Sequence, residues 1–105
     1  MKKYKTVLNV QNAREMIVYI DFVMMNRPDH FGISEMVAFA ALAEVAIAIK
    51  KKLVQYNREY KITFTGTQAL SISYLYMEYI KCVNGNQFTN RMMQINNEIL
   101  QHYAI

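Results

Sequence analysis

The chain of 105 residues has one cysteine, one proline and three glycines. Cys82 alone forms no intrachain disulfide. Its place in an apolar run marks it as a buried, reduced thiol, so a reducing compartment is expected. So little proline and glycine leaves no room for a long linker or a low-complexity segment. With 53% hydrophobic residues, the composition excludes a disordered chain. No apolar stretch follows Lys2, Lys3 and Lys5, so no secretory signal is expected. Long hydrophobic runs are missing as well. Met36 to Ile49 is apolar except for Glu44 and precedes Lys50, Lys51 and Lys52. A membrane span takes about 20 apolar residues, and lipid penalises a central carboxylate. No membrane partner is expected. The expected location is cytoplasmic, or virion-associated for a phage-encoded chain.

Enzyme signatures are also lacking. There is no glycine-rich phosphate loop, no G-x-S-x-G and no histidine–glutamate pair at zinc-binding spacing. Asp29-His30 is the one pair that invites a catalytic account, but no nucleophile is placed beside it, and a turn cap with a solvated histidine explains it equally well. His30, Cys82 and His102 have no ligand-like spacing. No catalytic residue, cofactor or metal ligand is expected, and the chain reads as non-enzymatic.

What the chain does contain is a weak internal echo. Tyr4-Lys5-Thr6-Val7-Leu8-Asn9 recurs as Tyr60-Lys61-Ile62-Thr63-Phe64-Thr65, and at the same offset Asn12-Ala13 falls on Gln68-Ala69. Phe31 falls on Phe88 after one inserted residue. Each copy reads as a short extended run, a helix cap, a helix, a loop and a second helix. The expected fold is an all-α single domain, 1–105, of four helices in two helical hairpins. A duplicated β-α-α unit would cover 4–58 and 60–105. A minor two-stranded ribbon would join residues near 4–8 and 61–65, and would be marginal without helices packed on it.

Local signals place the helices. Asn9 is an N-cap with Asn12 three residues on, and helix 1 runs to about Asn26, with Met16, Ile20 and Val23 on one stripe. Pro28 ends it, since Arg27 before a proline is pushed out of helical geometry. Ser34 is the expected cap of helix 2, which runs to about Asn57. Its core face carries Ala38, Phe39, Leu42, Val45, Ile49, Leu53 and Tyr56. Thr65 and Gln68 make a capping box for helix 3, with Ala69, Ile72, Leu75, Tyr76, Tyr79 and Val83 inward and Asn84-Gly85 at its end. Thr89 or Asn90 caps helix 4, with Met92, Ile95, Ile99, Leu100 and Tyr103 on one side.

Two functional expectations follow. The first is a non-enzymatic protein–protein interaction or assembly subunit. Helix 2 has a second, small apolar face of Ala40, Ala41, Glu44 and Ala48, where another helix could approach closely and a lone charge would set register. The partner would be another copy of the chain or a larger assembly. The many Asn, Ile, Lys and Tyr residues suit an AT-rich coding sequence, common among phages and mobile elements. The second is a small nucleic-acid-binding regulator. The net charge is +4, and Lys50, Lys51, Lys52, Arg58 and Lys61 cluster against Glu59. Lys5 joins them if the strands pair, and Tyr4, Tyr56 and Tyr60 lie in the same segments, as bases would require for stacking. A lysine run after an apolar helix also compensates the helix dipole.

Overall fold

The computed structural model describes residues 2–26, 32–81 and 86–104. Arg27, Pro28, Asp29, His30, Phe31, Cys82, Val83 and the Asn84-Gly85 helix end therefore lie outside the described residues. The element order is β1 (Tyr4–Asn9), α1 (Val10–Met25), α2 (Ile33–Leu53), β2 (Glu59–Phe64), α3 (Gly66–Leu75) and α4 (Gln87–His102), with a π-helical turn, Tyr76–Ile80, continuing α3. The described chain is mostly helical, with four α-helices and one two-stranded ribbon. None of the described helices is long and apolar enough to cross a membrane.

The strands pair antiparallel, Tyr4 opposite Phe64, Thr6 opposite Ile62 and Leu8 opposite Tyr60. Alternation along each strand sends every second side chain to one face. Tyr4, Thr6 and Leu8 of β1 and Tyr60, Ile62 and Phe64 of β2 are all buried. All of these but Thr6 join one core with Met16, Ile20 and Val23 of α1, Phe39, Leu42, Val45 and Ile49 of α2, Ile72 and Leu75 of α3, and Met92, Ile95 and Ile99 of α4. Two-stranded ribbons are marginal alone, and these buried side chains are what the helices hold.

Each strand feeds a helix through a side-chain cap. The Asn9 side chain accepts from the Asn12 backbone N–H, and Thr65 with Gln68 forms the reciprocal capping box. The other two caps differ from expectation. The cap of α2 is Gly32, not Ser34, with the Met36 N–H donating to the Gly32 carbonyl at 3.1 Å and no side-chain cap. The helix also stops at Leu53, four residues short of Asn57, which leaves Tyr56 beyond its end and 77% exposed. α4 is capped by Asn86. Thr89 supplies the returning half of the capping box, so the helix starts earlier than Thr89 or Asn90 would set it.

In α3 the inward stripe shifts. The Lys81 N–H donates to the Tyr76 carbonyl at 2.8 Å, a five-residue step. That π turn carries the buried stripe from Leu75 to Ile80 and leaves Tyr76 and Tyr79 half-buried. α3 and α4 are stapled by a buried polar pair, the Ser73 hydroxyl donating to the Asn96 side-chain carbonyl. The Tyr19 ring of α1 stacks on Phe88 of α4 at 4.9 Å between centroids. Leu100 of α4, expected inward, is half exposed.

Leu8, fully buried in β1, tests whether ribbon and helices share one core. Leu8→Ala is expected to lower stability by about 2–5 kcal/mol in denaturant unfolding, as a single cooperative transition.

Candidate nucleic-acid interface

Burying one face of a two-stranded ribbon leaves the other face outside. Lys5 and Val7 of β1 and Glu59, Lys61 and Thr63 of β2 are exposed there. Lys5 stands opposite Thr63, and Lys61 opposite Val7. The two lysines are diagonal neighbours, about 7–8 Å apart by ribbon geometry. Chain pairing thus brings together two charges that are far apart in sequence.

Side chains of α4 and of Tyr103 just beyond it contact the outer edge of β1 and the residues that precede it. Arg91 donates to the Val7 carbonyl at 2.8 Å and to the Thr6 hydroxyl at 3.2 Å, with Glu98 at 3.9 Å from its guanidinium. His102 Nε2 lies 2.9 Å from the Lys3 carbonyl, and the Tyr103 hydroxyl donates to the Lys2 carbonyl at 2.6 Å. Of these three carbonyls Val7's belongs to β1, and those of Lys3 and Lys2 lead into it. Between this edge and α4 lies a polar cleft of about 570 Å³, lined by Asn9, Asn12, Glu59, Gln87, Asn90, Arg91 and Gln94 among others. The carboxamides both donate and accept, which suits polar base edges and phosphate oxygens.

Further basic residues lie in the last turn of α2 and, at Arg58, directly before β2. Lys50, Lys51 and Lys52 occupy the last turn of α2, where they also offset the helix dipole. Lys50 Nζ is 3.9 Å from Asp21 of α1, both groups half exposed, so it is partly neutralised. Lys51, Lys52 and Arg58 are exposed. The segment from α2 to β2 is pinned by the Tyr60 hydroxyl, which donates to the Gln55 carbonyl at 2.9 Å and accepts from the Asn57 N–H at 3.0 Å. Tyr60 is therefore committed to the fold and does not stack on bases. Tyr4 is likewise buried, its hydroxyl donating to Glu98. Of the three expected stacking tyrosines only Tyr56 is free to serve.

The alanine-rich face of α2 divides. Ala41 is 4% exposed and belongs to the interior, and Ala48 is half-buried. The cause is α3, which packs along this side: Thr67, Leu70, Ser71 and Tyr74 line a shallow groove with Ser34, Val37 and Ala38. Glu44, exposed beside Ala40, accepts from the Gln68 side chain of α3 at 3.1 Å and not from Lys51 or Lys52. What stays open on α2 is a neighbouring stripe of Ile33, Met36, Val37, Ala40 and Ile47, with Val54 just past its end.

Among the described residues no cluster of three His, Cys, Asp or Glu side chains is placed to hold a metal. Arg91, Asn90, Gln87 and Gln94 carried no sequence signal beyond a balanced charge count. The i, i+3 and i, i+4 spacing of these polar residues on α4 is the pattern that marks them as one face. Comparison with protein-family models, curated proteins and solved structures finds no match.

Tyr4 ties the candidate interface to the fold and carries a pH signature. Burial, and then the hydrogen bond to Glu98, push its phenol up to about 12 from 10.0. A raised pKa means that the neutral phenol is the form the fold favours. Its contribution is complete below pH 10 and is lost as pH rises towards 12. The difference in tyrosinate absorbance between wild type and Tyr4→Phe is expected to show a transition near pH 12; a transition near 10 would contradict the buried geometry.

Proposed function

We propose that this chain is a non-enzymatic, basic, duplex-DNA-binding regulator that inserts the outer face of its ribbon into the major groove. The observation that carries it is the antiparallel pairing that sets Lys5, Val7, Lys61 and Thr63 on one exposed surface. The B-DNA major groove, about 12 Å wide, admits a two-stranded ribbon as well as a helix. Strands lie about 4.8 Å apart, so a lone pair with its side chains fits that width. Lysines on such a ribbon meet guanine O6 and N7 or the flanking phosphates. Arg58, directly before β2, adds positive charge, and the cleft beside α4 adds amide donors. The fold would arise as a duplicated β-α-α unit, each copy contributing one strand. The caps at Asn9 and Thr65, and the starts of α1 and α3, all fall at the offset of the echo.

An assembly role through α2 is the second reading, supported by Val37 and Ile47 being 52% and 53% exposed on the same stripe as Ile33 and Ala40. Apolar stripes of this kind mark contact surfaces. A second copy or a larger phage or mobile-element assembly would cover it. Ala41 takes no part, since it is already inside. Val37→Lys with Ile47→Lys is expected to convert an oligomer to a monomer in light scattering; a wild-type monomer would remove this reading.

For DNA binding, fluorescence anisotropy on a labelled duplex is expected to show affinity falling steeply with salt, at a slope of roughly −0.9 per phosphate contacted. Lys5→Ala with Lys61→Ala is expected to weaken binding at least about ten-fold and to flatten the slope. Duplex RNA, whose major groove is deep and narrow, should compete poorly. Absent or salt-independent binding overturns the proposal.

A further inference from the structure

Antiparallel pairing centred on Thr6 and Ile62 has a local two-fold axis through that pair. Rotation about it exchanges Lys5 with Lys61 and Val7 with Thr63, the same correspondence that the sequence echo makes. A ribbon built from two identical chains would present identical halves and favour a palindrome. Here one chain supplies both strands, and the halves are free to differ. They do differ. On one side of the axis Lys5 stands opposite Thr63; on the other, Lys61 stands opposite Val7, with Glu59 opposite Asn9 beyond.

We infer, resting on the DNA-binding proposal above, that the target is a non-palindromic duplex with two unlike half-sites around a common centre. The lysines are equivalent about the axis and read the shared part, guanine O6 and N7 being their usual major-groove partners. Their diagonal separation of about 7–8 Å corresponds to roughly two base steps. Val7 and Thr63 have nearly the same shape but opposite chemistry. The Val7 methyls suit a thymine methyl, whereas the Thr63 hydroxyl donates to or accepts from a base edge. Glu59, on the Val7 side, accepts from a cytosine amino group and disfavours acceptor edges. Each half therefore selects its own flanking base pairs.

The test is selection of bound duplexes from a randomised library, followed by anisotropy on three synthetic sites: the selected site and the two palindromes built from its halves. The selected site is expected to bind at least about ten-fold more tightly than either palindrome, in line with the cost of mismatched base pairs. Thr63→Val makes the two halves alike at that position, and valine is favoured in strands, so the fold is kept. In that variant the palindrome of the Val7 half is expected to rise to within about three-fold of the selected site. A wild-type palindrome that equals the selected site overturns the inference. So does tight, salt-dependent binding without sequence preference, which leaves DNA binding itself standing. If no duplex is retained, the DNA-binding proposal fails, and this inference falls with it.

Discussion

The pairing of β1 with β2 is the constraint on which the rest depends. Each strand has six residues, and neither would persist alone. Joined, they bury Tyr4, Thr6, Leu8, Tyr60, Ile62 and Phe64 against four helices. That burial ties the first half of the chain to the second. It also decides the surface: period-two geometry leaves Lys5, Val7, Lys61 and Thr63 with nowhere to go but outward. A slip of one residue in either strand would drive its lysine, Lys5 or Lys61, into the core and its three buried side chains out, so the register is strongly held.

Around this ribbon the helices do two jobs. α1 and α3 leave the strand ends through capped turns and supply apolar stripes to the core. α4 lies beside β1: Arg91 occupies the Val7 carbonyl, and His102 and Tyr103 hold the Lys3 and Lys2 carbonyls that lead into the strand. Part of the edge is thereby covered, while the outer face stays open. The outer face carries Lys5 and Lys61, with Glu59 on the same side.

Much of this was legible locally. Alternating Tyr4–Leu8 and Lys61–Thr65, the Asn9 and Thr65 caps and the Met16, Ile20, Val23 stripe are short-range patterns, and each appears in the fold within a residue or two. Other features were hidden because they depend on distant partners. α2 is apolar almost all round, so angle alone did not tell which apolar face α3 would cover, and Ala41 proved to lie beneath it. Arg91 meets Val7 across 84 positions, a contact that no local pattern encodes. Asn86 and Thr89 are both competent caps, and only the reciprocal hydrogen bonds show which one begins α4. The tyrosines at 4 and 60 look available in sequence, but alternation places them with Leu8 and Ile62, on the inward side.

The most direct measurement is an amide NMR titration of the protein with a short mixed-sequence DNA duplex. The largest shift changes are expected at Lys5, Val7, Lys61 and Thr63, with smaller ones at Arg58 and along the amide cleft of α4. Changes confined to the exposed stripe of α2, or none at saturating DNA and low salt, would contradict the account and leave the ribbon as a structural element alone.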